Sequence, residues 1–451
     1  MRILLLSDCY EPTVNGVVRS VSTLRRGLIA RGHDVRVLAP GSGRSTTFDD
    51  GVYGLASVGV NALYPTARFG RPLDRDVQEH VLAWQPEIVH SHSEFVAFLW
   101  ARRLVEHLGV PHVHTYHTVY EHYTHYFSPS RHLGRAVVAR LTRRLLGRAD
   151  LVIAPTAKVE TLLSSYGLAT PVSVIPTGID LERFTCAPVS GPASAPVSDP
   201  SSGLISGSAS GLISGSASGL VSGLVSGSAS ASVSGPASDP ATLRDTDTAS
   251  GSDLRRRLGL PDGVPVVVSV GRLAHEKNLT EAIELLARHT TRDWRFVVVG
   301  DGPQAGSLRQ LTTRLGVSDR VLFTGAVDPA RVADYYRLGD LFVSSSRSET
   351  QGLTYLEALA SGLPVLCRAD PVLDGVVTDG VNGYQYTRAT DFDTRFTSML
   401  DDQALRLRLS RGARMSALGH SDSRFAAAVL GAYALARGAA RLHRTDVEVA
   451  A

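Results

Sequence analysis

Cysteine, lysine and long apolar runs are all scarce in this chain, and each shortage excludes something. Among 451 residues only Cys9, Cys186 and Cys367 are cysteines, an odd number set far apart. That excludes a disulfide framework and a cysteine-type zinc site, and it fits a reducing cytosol. No apolar run approaches the ~18 residues needed to span a bilayer. The stretch Ile3–Leu6 meets Asp8 too soon to be the apolar core of a secretory leader. An excess of charge of one sign is missing as well: 46 basic and 43 acidic residues leave +3. Such a balance is too near neutral for a dedicated nucleic-acid binder. Lysine occurs only at Lys158 and Lys277, leaving 44 of the 46 basic residues as arginine. What is present is ordinary for a globular protein, with 43% hydrophobic and 20% charged residues. A prior of roughly 150 residues per domain suggests about three units.

The composition changes abruptly between Ser190 and Ser252, where Ser, Gly, Ala and Pro dominate. Gly-Leu-Ile-Ser-Gly-Ser-Ala-Ser occurs at Gly203 and again at Gly211, with a near copy at Gly223. Scattered aliphatics without aromatics cannot bury enough surface to offset the entropy of ordering. The copies are few and their spacing drifts, which disfavours a β-solenoid. The segment is expected to be a flexible linker.

On either side, short apolar strands alternate with helical patterns. Strands are expected at Arg2–Leu6, Val35–Ala39, Ile88–His90, His112–Thr115, Leu151–Ala154 and Val172–Ile175. A second set follows at Val266–Val270, Phe296–Val299, Val321–Thr324, Leu341–Ser344 and Pro364–Cys367. Strand–helix alternation implies parallel sheets covered on both faces. The expected fold is α/β, with two doubly wound, Rossmann-like domains, and ligands bound beyond the carboxyl ends of the strands. Boundaries are drawn at 1–185, a linker at 186–252, a second domain at 253–420, and a C-terminal helix and tail at 421–451. That last helix could pack on either domain.

Two loops carry the strongest chemical signals. Ser346-Arg-Ser-Glu-Thr-Gln-Gly-Leu-Thr-Tyr-Leu-Glu357 follows a strand, and Gly352 opens a helix. The first amides of that helix, around Gly352, Leu353 and Thr354, form an anion site suited to a phosphate. Glu349 before the helix and Glu357 inside it could accept hydroxyl hydrogens on either side of a diphosphate. They could equally be a capping carboxylate and a solvated one. Val270-Gly-Arg-Leu-Ala-His-Glu-Lys277 also follows a strand. Gly271 permits a tight turn, and Arg272 and Lys277 place a fork and a point charge at its mouth. One of only two lysines falls in this loop, which favours function over a solvated pair.

Other signals are weaker. Asn15-Gly16 after the first strand permits close backbone approach to a ligand. His112-Val-His-Thr-Tyr-His117 continues into a run dense in His and Tyr. His112 and His114 share a strand face, but no His-Glu-x-x-His spacing supports zinc. A single histidine lining a site is the better reading. Arg131–Arg148 holds six arginines and no acid. On a helical wheel Val137, Val138, Leu141 and Leu145 share one side, with Arg140, Arg143 and Arg144 away from it. Such a helix can lie on anionic lipid or simply pack its apolar side on its own sheet. Gly300-Asp-Gly-Pro-Gln-Ala-Gly306 is one residue too long for a dinucleotide fingerprint. Asp-x-Asp at Asp74, Asp245 and Asp391 follows no convincing strand, so no metal site is assigned.

Taken together, these motifs resemble family 4 glycosyltransferases, retaining enzymes of the two-domain GT-B fold. Glu349 to Glu357 is similar to the family's E-x7-E element, and Val174-Ile-Pro-Thr-Gly-Ile-Asp180 to the segment entering its interdomain linker. Gly271-Arg-Leu with Lys277 resembles the diphosphate loop, and Gly300-Asp-Gly-Pro303 a nucleotide-side turn. His114-Thr-Tyr-His-Thr-Val-Tyr-Glu-His-Tyr-Thr-His-Tyr126, Ser348-Glu-Thr-Gln-Gly-Leu-Thr-Tyr355 and Asp370-Pro-Val-Leu-Asp-Gly375 look like the bacterial 1,2-diacylglycerol 3-α-glucosyltransferases. Mannosyltransferases of the family usually carry Phe-Gly where this chain has Gln351-Gly352, and the long insert departs from the family pattern.

The resemblance implies a two-substrate site without cofactor or metal. Glu349 would hold donor-sugar hydroxyls and Glu357 the ribose. Arg272, Lys277 and the Gly352–Thr354 helix start would stabilise the departing diphosphate. Gly16 would present its amide to the donor phosphate, and His117 would line the reaction centre. The implied donor is UDP-glucose, the implied acceptor diacylglycerol, and the implied place the cytoplasmic, inner face of an anionic membrane, touched through Arg140, Arg143 and Arg144. GDP-mannose as donor, or phosphatidylinositol or a soluble sugar as acceptor, stays open.

Overall fold

The computed structural model describes residues 1–13, 15–41, 43, 45–59, 68–70, 74–117, 131–185, 251–347 and 349–450. The Ser/Gly-rich linker, the histidine- and tyrosine-rich run from Thr118 to Tyr126, and Ser348 lie outside the described residues.

In the N-terminal half the strands are β1 (Arg2–Leu6), β2 (Asp34–Pro40), β3 (Thr47–Asp49), β4 (Val52–Leu55) and β5 (Ser57–Gly59). They continue with β6 (Arg68–Gly70), β7 (Ile88–Ser91), β8 (His112–Thr115), β9 (Leu151–Ala154) and β10 (Val172–Val174). Eight of them form one sheet in the order β10-β9-β8-β7-β1-β2-β4-β3, parallel except for β3. The pair β5-β6 is a separate antiparallel ribbon. The C-terminal half has β11 (Val266–Val270), β12 (Arg295–Val299), β13 (Val321–Gly325), β14 (Leu341–Ser344), β15 (Val365–Arg368) and β16 (Gly383–Tyr386). These are all parallel, in the order β13-β12-β11-β14-β15-β16. Strand order reverses at β1/β7 in one sheet and at β11/β14 in the other. Each reversal opens a crevice at the carboxyl ends, where the loops diverge to opposite faces.

Alternation along the strands divides each apolar run between two cores. Ile3 and Leu5 join Val21, Leu24 and Leu28 of the first helix, Gly16–Ile29. Leu4 and Leu6 face the other way, onto Val81, Trp84 and Trp100. Both faces are therefore covered, which is why β1 reads as continuous hydrophobics rather than as alternation. The β11 run divides likewise, Val266 and Val268 to one core and Val267 to the other.

The final helix, Asp422–Ala450, packs on the N-terminal sheet: Phe425, Val429, Tyr433 and Ala436 join the Ile3 and Leu5 core. The chain returns there through backbone bonds from Ile179 N to His420 O (2.8 Å) and from Asp422 N to Ile179 O (3.0 Å). Gly27 makes the approach possible, because a Cβ there would sit 2.9 Å from the Cβ of Ala426.

Histidines gather on β7 and β8 and in the loops that follow them. His90, His92, His112, His114 and His117 are all buried. Hydroxyls rather than carboxylates satisfy most of them. His90 Nδ1 meets the Tyr433 hydroxyl and its Nε2 meets Thr115 Oγ1, both at 2.8 Å. Ser91 Oγ bridges His112 Nε2 and His114 Nδ1, also at 2.8 Å each. Among the described residues no group of three or more His, Cys, Asp or Glu side chains is arranged to hold a metal ion.

Burial first, and then the histidines' mutual proximity, pushes His90, His92, His112 and His117 below the ordinary value, His112 and His117 to about 3. At His112 and His117 an unfolded chain takes up the proton near pH 6.5, and the folded chain only near pH 3. Between those values the unfolded state binds more protons, so stability rises with pH in that window and is lost as pH falls through it. At pH 5 each such histidine should cost about 2 kcal/mol relative to pH 8. Urea titrations at the two pH values should show this loss, and His112→Gln should flatten the slope. Equal stability at both pH values would mean that these rings already carry their protons in the fold.

Candidate functional site

The site is built from loops at the carboxyl ends of both sheets. In the C-terminal half, β11 leads into Gly271-Arg272 and a turn at His275–Lys277, and β14 into the loop that ends at Gly352. Gly352 adopts φ 68°, a left-handed conformation that frees the chain to start the helix Leu353–Ala360. The two loops are tied together by Glu281, which accepts from Asn278 Nδ2 and Arg347 Nη2 at 2.6 Å each and from Arg368 Nη1 at 2.5 Å. Those cations outweigh the effect of burial and hold the Glu281 carboxyl below the usual range. Asn278 Nδ2 also reaches Ser345 O at 3.3 Å.

With the loops so fixed, Gly271, Arg272, Lys277, Ser344, Glu349 and Thr354 line one pocket. Lys277 Nζ donates to Glu349 Oε1 at 2.7 Å. Burial alone would raise the Glu349 carboxyl. The Lys277 charge and hydrogen bond, with Ser346 and the more distant Lys158, prevail and hold it below the usual range. The turn expected on the nucleotide side packs against this pocket. A Cβ on Gly300 would lie 2.0 Å from Gly271 O, and one on Gly302 would lie 2.4 Å from Leu273 O. No side chain fits at either position, which accounts for the Gly-Asp-Gly sequence.

Glu357 is buried one and a half turns into the helix. It accepts from the Tyr336 hydroxyl at 2.8 Å and from Arg19 Nη1. Here burial prevails over Arg19 and Tyr336, and the carboxyl is raised. Arg19 belongs to the other half, on the first helix, so this ion pair crosses the cleft. Asn15 caps that helix, its Oδ1 accepting from Val18 N at 2.9 Å. Gly16 lies beside the second helix start, where an added Cβ would be 3.9 Å from the Leu353 side chain. Two further bonds span the halves. His117 Nδ1 lies 3.1 Å from Gln351 Nε2, and Lys158 Nζ donates to the buried Asp370 carboxylate at 2.9 Å.

The structure thus brings Gly271, Arg272, Lys277, Glu349 and Thr354 onto one pocket. Gly352, Leu353 and Glu357 adjoin it on the same loop and helix, and Gly16 and His117 face them from the N-terminal half. Arg140, Arg143 and Arg144 lie elsewhere, on the helix Arg131–Leu146. The apolar side expected for that helix needs correcting. Among its described side chains Val138, Thr142 and Leu146 are buried, in line with the buried Gly134, whereas Val137 and Leu141 are each 55% exposed. One residue is about 100° of helix, so Val137 and Leu141 are rotated out of the packed stripe and share the solvent side with the arginines. Sequence reasoning did not single out Arg19, Tyr336 or Glu281, and it quoted Asp370 only as the start of a motif similar to the family's, with no role in the site. Lys158 was visible only through the scarcity of lysine.

Residues 14–183 match the family model described as Glycosyltransferase Family 4, and residues 252–416 that described as Glycosyl transferases group 1. The alpha-monoglucosyldiacylglycerol synthase of Streptococcus pneumoniae is 31% identical over 389 residues, which is 86% of this chain and 75% of its own. The synthase of that name from Acholeplasma laidlawii is 25% identical over 426 residues, 92% of each chain. Among solved structures, Anabaena HepE in complex with UDP superposes with a TM-score of 0.64 at 18% identity, over 96% of this chain and 100% of its own. Sucrose-phosphate synthase from Thermosynechococcus elongatus gives 0.64 at 19% identity, over 99% of each. At such identities the structural likeness establishes the GT-B fold alone. The family follows from the sequence relationship along most of both chains: this protein belongs to glycosyltransferase family 4.

Proposed function

We propose that this glycosyltransferase moves glucose from UDP-glucose to diacylglycerol, with retention of configuration and without a metal ion, at the cytosolic surface of a membrane. The observation that carries the reading is the gathering of Arg272, Lys277, Glu349 and Thr354 on one pocket that Gly16 and His117 approach from the other half. The diacylglycerol in the names of the two related synthases supports the acceptor.

In this reading the acceptor hydroxyl attacks the anomeric carbon from the face that the diphosphate leaves. The bond from that carbon to the phosphate oxygen breaks, the new glycosidic bond forms, and the departing phosphate takes the hydroxyl proton. Arg272, Lys277 and the helix start at Gly352–Thr354 meet the charge that develops on the leaving group. Lys277 needs little reorganisation for this, because Glu349 already holds it in place. Glu349 orients the sugar, Glu357 the ribose, Gly16 offers its amide to the phosphate, and His117 lines the reaction centre. The exposed side of the helix Arg131–Leu146 supplies the membrane contact. Arg140, Arg143 and Arg144 supply charge, and Val137 and Leu141 supply apolar surface at the same side.

Purified protein offered UDP-glucose, UDP-galactose and GDP-mannose with diacylglycerol vesicles, in EDTA, should form an α-glucolipid from UDP-glucose alone. Transfer from GDP-mannose, transfer to a soluble sugar in place of the lipid, or inactivation by EDTA reversed by Mg²⁺ would each overturn the corresponding part.

Lys277→Ala removes one leaving-group cation, a loss commonly worth ~3 kcal/mol of transition-state stabilisation. Its kcat should fall about a hundredfold, and its thermal midpoint should also drop, because the buried Glu349 carboxylate loses its cation. A kcat within about threefold of the parent would remove Lys277 from the chemistry.

Changing Arg140, Arg143 and Arg144 together to Gln should weaken sedimentation with anionic vesicles about a hundredfold, at ~1 kcal/mol per basic residue. The parent's binding should fall with added salt. Undiminished sedimentation of the triple variant would mean that another surface meets the lipid.

A further inference from the structure

The buried histidines form a large set of titratable side chains that the reaction proposed above leaves unused, apart from His117. One of them is bonded to His117 directly. His92 follows β7 in the run His90-Ser-His-Ser93 and is 1% exposed. Its Nδ1 lies 3.1 Å from His117 Nε2, and the two rings are stacked, 25° from parallel with centroids 5.3 Å apart. Behind it the His90 ring lies at 4.1 Å, itself fixed at both nitrogens by Tyr433 and Thr115. The stack therefore runs from the final helix, through His90 and His92, to the cleft.

Proton accounting gives this stack a direction. A neutral imidazole carries one proton on one of its two nitrogens, and the bond made by one nitrogen decides the state of the other. The amide nitrogen of Gln351 faces His117 Nδ1 and can only donate, so Nδ1 presents a lone pair. The proton of His117 must then sit on Nε2, and it is donated to His92 Nδ1. His92 in turn carries its own proton on Nε2, which has no protein partner among the described residues. The order is Gln351 to His117 to His92.

We propose that His92 is the positioning residue of the site: by accepting the Nε2 hydrogen of His117 it fixes that ring in one tautomer and aims Nδ1, as an acceptor, across the cleft. There Nδ1 takes the hydrogen of Gln351 in the unliganded protein and of a donor-sugar hydroxyl when the site is filled. Without His92 the inner nitrogen of His117 would be buried and unpaired, and the ring would gain by turning or by moving its proton. The inference rests on the reading above in which His117 lines the reaction centre, and it adds what holds that residue in its working form.

The test uses the full chain and three variants. His92→Phe keeps a flat ring without hydrogen bonding, His92→Asn keeps an acceptor where Nδ1 stood, and His117→Ala removes the residue being positioned. His92→Phe should lower kcat by roughly 10- to 100-fold, by analogy with the partners that orient metal-ligating histidines, with far less change in KM for UDP-glucose. His92→Asn should restore most of kcat. With ¹⁵N-labelled histidine, the parent should show His117 protonated at Nε2 and bare at Nδ1, assigned by the signals lost in His117→Ala. His92→Phe should show a mixture of tautomers.

Parent-like kcat in His92→Phe, or an Asn variant as slow as the Phe variant with the His117 tautomer unchanged, would overturn the proposal. So would a parent His117 protonated at Nδ1, a measurement that needs no variant of His92 to fold. If His117→Ala turns over like the parent, the role of His117 itself fails. If that variant is slow while His92→Phe is not, only the positioning role fails.

Discussion

A carboxylate withdrawn from water has to be met by a cation, and the cleft is arranged around two such carboxylates. Glu349 has Lys277 from its own half, and Glu357 has Arg19 from the other. Removing one member of a buried pair commonly costs about 3–5 kcal/mol, because the other is stranded. Much of the local architecture serves to deliver these two cations. Lys277 arrives on a short turn that Asn278 and Glu281 tie to the β14 loop. Arg19 arrives on the first turn of the helix that follows β1, capped by Asn15, with Gly16 beside the Leu353 side chain. The two carboxylates respond differently to similar burial. Lys277 prevails at Glu349, whereas burial prevails at Glu357, where a neutral tyrosine hydroxyl is the second partner.

The N-terminal half solves a different problem with different chemistry. Its strands end in histidines rather than carboxylates, and hydroxyls of Ser91, Thr115 and Tyr433 satisfy many of them. Neutral rings can be buried together where charges could not. Tyr433 comes from the last helix, so residues more than three hundred positions apart close the same face of the same sheet. The N-terminal half thus brings neutral histidine donors and acceptors to the cleft beside its two cations, Arg19 and Lys158.

Much of the fold was legible because doubly buried strands read as unbroken apolar runs. β4 and β16 escaped that reading for a physical reason. Val52-Tyr-Gly-Leu55 and Gly383-Tyr-Gln-Tyr386 lie at or near a sheet margin, where glycine and a polar residue are tolerated. In the site, Glu349, Glu357, Arg272 and Lys277 stood out because a strand end, a glycine and a charge follow one another closely in sequence. Arg19 had no such signal: it is one of 44 arginines, and its partner lies 338 positions away. The pairing of His92 with His117 was equally hidden, since neighbouring strands bring it about and no local pattern does. The helix Arg131–Leu146 shows the limit of a wheel drawn by residue type. Thr142 is buried on the packed side, and a stripe chosen only for hydrophobicity comes out rotated by one residue.

The scarcity of lysine has a chemical consequence. Lys158 and Lys277 are the chain's two ε-amines, and both are bonded to carboxylates of the C-terminal half beside the cleft. Arginine does not react with acylating reagents under mild conditions, so the outer surface offers them almost nothing beyond the α-amine. Reagents that scatter over an ordinary protein would here be confined to the two cleft lysines. Each amine must leave its carboxylate to react, so acylation of Lys158, whose partner Asp370 belongs to the other half, would measure how often the two halves part, and acylation of Lys277 how often its local pair with Glu349 opens.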